Sequence, residues 1–172
     1  MTLYQSLFAA IVAAAALGAA PAYSDGPGDP EAVDQDGGYY LDADGVPTFH
    51  IADDGTVDFP TYSGFRRYHS ECHVCHGPDG LGSSYAPALV QSVKTLSYVD
   101  FMGIVAGGRQ HVDSGNNNVM PAFGDNPNVM CYLNDIYTYL RARGQGDLPR
   151  GRPAKKEAKS DAFKEMEDAC MG

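Results

Sequence analysis

The stretch Cys72-His73-Val74-Cys75-His76 decides how the rest of the chain is read. Two thiols three positions apart, with a histidine directly after the second, form C-x-x-C-H, the pattern that attaches haem covalently. Each thiol adds to one vinyl group, so the two lie along one edge of the macrocycle. His76 follows closely enough to reach the iron from one face of the ring. A redox-active C-x-x-C would need a βαβ pattern around it, and none surrounds these residues. A zinc site would need two more ligands at ribbon or finger spacing, whereas Cys131 and Cys170 stand alone.

A second axial ligand is expected downstream. Val119-Met120-Pro121-Ala122-Phe123 presents Met120 in a loop after the Gly/Asn-rich residues 114–118. A thioether suits low-spin iron and raises its reduction potential. His111 is the competing ligand. Met102 and Met130 fall inside helical patterns, where a core role is expected.

Around the motif the apolar residues recur with helical period. Ser63 is expected to cap a helix carrying Phe65, Tyr68 and Cys72. Ser97 with Asp100 resembles a capping box ahead of Phe101, Ile104 and Val105, and Gly107-Gly108 marks the stop. Asn126-Pro127 opens the strongest pattern: Val129, Leu133, Ile136, Tyr137 and Leu140. Arg141 and Arg143 fall in its last turn, and Gly144 is read as its end. A shorter amphipathic stretch carries Ala162, Phe163, Met166 and Cys170. Residues 23–38 read as an irregular Gly/Pro/Asp-rich arm. Tyr39-Tyr40-Leu41 and Thr48-Phe49-His50-Ile51, flanking Asp42-Ala43-Asp44-Gly45, read as a short hairpin. Asp42, Asp44 and Asp53 do not form a calcium loop, because glycine falls at loop position 4 instead of 6. The fold class expected is all-α with a small β decoration.

Residues 7–20 are apolar and too short to span a bilayer, and Ala20-Pro21-Ala22 matches an A-x-A cleavage site. The expectation is export to the periplasm, cleavage after Ala22 and no membrane anchor, although no Lys or Arg precedes the apolar run. Four cysteines suit an oxidising compartment. The net charge of −10 excludes nucleic acid as an expected ligand. Acids crowd residues 25–58, which hold no Lys or Arg, while eight basic residues fall between Arg141 and Lys164. Such a layout can steer a protein partner or simply coat solvated extensions. The expected division is a signal peptide (1–22), an acidic extension (23–62), a haem-bearing domain (63–145) and a basic tail (146–172), tethered by a disulfide.

Residues 72–77, Ala86-Pro87-Ala88-Leu89, Gly107-Gly108-Arg109 and Met120-Pro121 resemble the class I cytochrome c family in their order. The resemblance implies that the Pro87 carbonyl accepts a hydrogen bond from His76. It implies that Arg109 contacts a haem propionate, and that Gly64 and Phe65 cross Tyr139 and Leu140. Tyr62-Ser63-Gly64-Phe65-Arg66-Arg67-Tyr68-His69, Asn128-Val129-Met130-Cys131-Tyr132-Leu133 and the closing Glu167-Asp168-Ala169-Cys170-Met171-Gly172 extend it. These are similar to the four-cysteine cytochromes related to methanol metabolism and to the cytochrome c-L group. That likeness implies a quinoprotein methanol (alcohol) dehydrogenase as electron donor and a downstream cytochrome or oxidase as acceptor.

On a continuous helical wheel, Cys131 falls opposite the apolar arc, and Cys170 lies on the apolar side of the tail. A Cys131–Cys170 disulfide would pin the tail to the outside of the core, constraining the unfolded chain by about 4 kcal/mol. The function expected is that of a mono-haem electron carrier and not an enzyme. The alternatives are a haem with an open sixth position that binds gas or peroxide, or an assembly partner of the dehydrogenase.

Overall fold

The computed structural model describes residues 26–112 and 117–172; the expected signal segment lies outside them. Two helices organise the rest. Helix α1 (Phe59–Glu71) starts on Asp58, whose side chain accepts from the Thr61 N–H, with Pro60 in the first turn. The expected cap, Ser63, lies instead in the helix interior and is buried. Asp58 outcompetes it because it stands two residues before Pro60, whose ring suits the first turn, and its carboxylate accepts from both the N–H and the hydroxyl of Thr61. Helix α6 (Leu133–Gln145) packs across α1. At the crossing a side chain on Gly64 would place its Cβ 1.8 Å from the Asp135 carbonyl oxygen, so only glycine lets the backbones approach. Phe65 meets Tyr139 edge-on, with ring centroids 5.7 Å apart. The crossed contact implied by the resemblance is present.

Between these helices run α2 (His73–His76), α3 (Leu89–Ser92) and α4 (Tyr98–Gly107). Ser97 caps α4 by accepting from the Asp100 N–H at 3.1 Å, and Gly108 follows its last residue, as expected. The long helix expected from Asn126 is two helices. Asn126 caps α5 (Pro127–Met130), a break falls at Cys131 and Tyr132, and α6 resumes at Leu133. Gly144 does not end α6; Gly146, at φ 92°, does. Gly144 is needed for packing, since its Cβ would lie 2.8 Å from Val93 Cγ2.

The β decoration is larger than expected. Strands β1 (Asp34–Asp36), β2 (Tyr39–Leu41) and β3 (Pro47–Thr48) form an antiparallel sheet, so the arm read as irregular contributes a strand. Arg109–Val112 (β4) pairs with Asn117–Met120 (β5), which makes the expected Met120 loop one strand of a hairpin. Residues 113–116 of the Asn-rich run lie outside the described residues.

The two extensions are folded onto the core. Arg141 is 1% exposed and ion-paired to Asp42 at 2.8 Å. It also donates to the Pro27, Asp29 and Pro47 carbonyls, which fastens the arm to α6. The last-turn position expected for it is thereby corrected, since α6 runs on to Gln145 and Arg141 is buried before its last turn. The tail ends in α7 (Asp161–Met171), capped by Ser160 and joined to the core by the Cys131–Cys170 disulfide. Cys131 is buried there with Tyr39, Tyr132 and Phe163 in a small apolar cluster of its own. The basic tail also pairs with acids of the same chain: Lys155 with Asp54, Lys159 with Glu167, Lys164 with Asp161 and Arg150 with Asp79.

Candidate functional site

Helix α2 is one turn long, and its last residue, His76, is only 7% exposed. The ring Nδ1 lies 3.0 Å from the Pro87 carbonyl oxygen. A carbonyl can only accept, so Nδ1 carries the proton and Nε2 keeps a free lone pair. That tautomer is the one a metal ligand needs, and the bond fixes the ring orientation as well.

His76 opens on a cavity of about 860 Å³, within the range of cofactor pockets. Its walls are apolar: Phe101 and Val105 from α4, Val129 from α5, and Leu133, Ile136 and Leu140 from α6. These are the apolar positions whose spacing marked the helices. Cys72 and Cys75 line the same cavity, Cys72 half-buried and Cys75 exposed. Burial pushes the Cys72 thiol up to about 12, with Glu71 adding to the shift, as expected for a sulfur against an apolar wall.

Met120, Pro87 and Arg109 line the same cavity. Met120 also packs on the main core. In the β4–β5 hairpin it stands directly opposite Arg109. Phe123 and Gly124 donate to the Val105 and Ala106 carbonyls, each at 3.0 Å, which ties the Met120-Pro121 segment to α4. Arg109 is exposed at the mouth of the cavity. The backbone of His111 lies in β4, paired with Asn118. All six site residues expected from the sequence therefore border one cavity.

Spacing alone did not reveal the supports behind His76. Tyr68 is fully buried, and its hydroxyl donates to the Gly77 carbonyl at 2.6 Å. The Gly82 N–H donates to the His76 carbonyl at 2.7 Å. Asp79, 5% exposed, accepts from the Arg150 side chain and the Gly151 N–H. The Cys-x-x-Cys-His donors, an imidazole with one free nitrogen, a thioether and apolar walls together fit haem c. Among the described residues no group of three His, Cys, Asp or Glu side chains could hold a bare metal ion.

Known proteins place the chain in the same class. Residues 60–140 match the family Cytochrome C oxidase, cbb3-type, subunit III. Cytochrome c-553I of Paracoccus denitrificans is 61% identical over 134 residues, which are 78% of this chain and 59% of that protein. The chain thus spans less than two thirds of that relative's length. Cytochrome c-555 of Methylococcus capsulatus is 38% identical over 102 residues, covering 59% of this chain and 76% of that one. The crystal structure of the c-type cytochrome XoxG from Methylobacterium extorquens AM1 superposes with a TM-score of 0.76 at 58% identity. It covers 82% of this chain and 86% of its own. The chain belongs to the c-type cytochromes, a family of electron carriers and not of enzymes, whose haem is covalently bound. Its fold is the helical cytochrome c fold with a small N-terminal sheet.

Proposed function

We propose that the chain is an exported, periplasmic mono-haem cytochrome that accepts single electrons from a pyrroloquinoline-quinone-dependent methanol (alcohol) dehydrogenase. A downstream cytochrome or oxidase is the acceptor. The haem would be attached at Cys72 and Cys75, with His76 and Met120 as axial ligands. The observation that carries this reading is the His76–Pro87 bond at 3.0 Å, in a cavity that Met120 also lines. When bound, the haem supplies a reversible one-electron couple. The chain's own residues hold His76 in one tautomer, exclude water with the α4 and α6 walls, and leave one edge open beside Cys75.

Export agrees with the disulfide, which belongs to an oxidising compartment. Among the described residues no helix is long and apolar enough to cross a membrane. The dehydrogenase partner rests on the resemblance to methanol-related cytochromes.

Anaerobic mixing of the oxidised holoprotein with such a dehydrogenase and methanol tests the proposal through the ferrous α-band. Reduction at least as fast as dehydrogenase turnover is expected. Slowing by salt would add that the exposed Asp34, Asp36, Asp44 and Asp53 steer the encounter. Reduction far slower than turnover would move the chain off the dehydrogenase and onto another donor.

A further inference from the structure

The loop after the haem motif, residues 77–82, has almost nothing apolar to hold it in place. Gly77, Gly80 and Gly82 lack side chains, Pro78 is exposed and Leu81 is 44% exposed. Asp79 alone has a buried side chain. It also has the one positive φ outside glycine among the described residues, at 58°. Aspartate tolerates that region better than most residues, but still at a cost that its surroundings offset.

What holds it comes mostly from far along the chain. The Arg150 side chain donates to one carboxylate oxygen at 3.2 Å, and the Gly151 N–H donates to the other at 3.0 Å. The Tyr139 hydroxyl reaches the second oxygen at 3.4 Å, and His69 Nε2 stands 3.7 Å from it. Burial alone would push this carboxyl up. The Gly151 N–H and Arg150 outweigh burial and hold it below its ordinary range, so it is an anion.

Arg150 and Gly151 belong to the strap that leads from α6 to α7. The strap is anchored further on: the Val57 N–H donates to the Lys155 carbonyl and the Glu157 N–H donates to the Val57 carbonyl. It ends at the Cys131–Cys170 disulfide. At the other end of the loop, the Gly82 N–H closes back on the His76 carbonyl. The path from strap to Asp79 to His76 is therefore continuous through hydrogen bonds and four residues of backbone.

We propose that Asp79 is a positioning residue through which the C-terminal strap holds the His76 loop in register with the cofactor cavity. The strap is then part of the haem site and not only a stabilising appendage. This rests on the reading of His76 as the iron ligand.

The test uses the haem-loaded full chain and the variants Asp79→Ala, Asp79→Gly, Arg150→Ala and Arg150→Lys. The readouts are hydrogen exchange at the Gly80 and Gly82 amides and the midpoint potential. Asp79→Ala and Arg150→Ala are expected to speed exchange at Gly82 by roughly tenfold or more, since each removes a charge-assisted bond. Both are expected to shift the potential, and Arg150→Lys to restore part of each effect. Asp79→Gly relieves the backbone strain, so it should recover melting temperature relative to Asp79→Ala while keeping the faster exchange and the shifted potential. Unchanged exchange and potential in Arg150→Ala, with only the melting temperature lowered, would overturn the proposal. Arg150 is largely exposed, so that variant decides the matter even if Asp79→Ala fails to fold. A wild-type chain that retains no haem would instead refute the ligand reading, while the exchange data still report the strap-to-loop contact.

Discussion

The helical core and the two extensions are held by different physics. In the core, α1 and α6 meet through glycine and aromatic rings, and α6, with α4 and α5, walls the cavity with apolar side chains. The extensions bury fewer apolar groups, chiefly Val57 and Leu148 in the main core and Tyr39 with Phe163 beside it. They are fastened by Arg141 to Asp42, by hydrogen bonds to Asp58, by the Val57 backbone pairing and by one disulfide. Packing is non-directional and tolerates little change of volume, whereas the seams depend on single groups. The core should therefore fail through shape and the extensions through the loss of one partner.

Gly64→Ala attacks the first kind. Its Cβ would overlap backbone, which cannot yield as a side chain can. We expect a loss of about 3 kcal/mol or more, the upper range for overpacking. Because α6 also lines the cavity, haem incorporation should fall with stability. Urea unfolding and the haem-to-protein absorbance ratio check both; normal incorporation at full stability would mean the crossing is softer than its geometry indicates.

Arg141→Leu attacks the second kind. It leaves Asp42 buried without its cation and frees three carbonyls of the arm. Breaking one side of a buried pair costs about 3–5 kcal/mol. Proteolysis should then cut within residues 26–48 before it reaches the core. The paired change Asp42→Asn with Arg141→Leu should recover part of the loss.

Cys131→Ser with Cys170→Ser should cost somewhat less, about 2–4 kcal/mol for a closed loop of this size. Helix α7 should be released, while the Val57 pairing keeps the strap, and with it the haem site, in place. Unfolding midpoints with and without reductant give the magnitude in the wild-type chain.

The sequence was most legible where chemistry is local. Cys72, Cys75 and His76 declare themselves by spacing, and Val129, Leu133, Ile136 and Leu140 by period. Ser97 marks a helix start because its partner, the Asp100 N–H, is three residues away. Long-range partners left no such mark. Nothing local distinguishes Arg141 from Arg143, yet Asp42, some hundred residues away, makes Arg141 a core residue. Gly144 looks like a helix end because glycine ends helices more often than it lets them approach. Nothing local singles out Asp79, and its contacts with Arg150 and Gly151 exist only once the tail returns. The split of the last helix at Cys131 and Tyr132 also escaped, since the apolar period runs through it unbroken.

The smallest expected effect probes the seam itself. Asp58 and Asp135 are both buried where the arm meets the core: the Tyr39 hydroxyl donates to Asp135 and the His50 N–H to Asp58. Burial raises Asp58 to about 6, against the pull of the His50 and Thr61 N–H groups, and raises Asp135 to about 7, each from an ordinary 3.8. Glu157 adds to the rise at Asp58 and Arg67 opposes the rise at Asp135. The folded chain therefore holds protons that the unfolded chain has already released between about 4 and 7. Stability should fall as pH rises through that window and level off above it, with an upper limit of ~1.4 kcal/mol per pK unit for each group. Urea midpoints at pH 4.5, 5.5, 6.5 and 7.5 would trace the slope. Asp135→Asn, which can still accept from Tyr39, should flatten it by removing one of the two titrating groups. An unaltered slope in that variant would assign the pH dependence to Asp58 and leave Asp135 ionised beneath Tyr39.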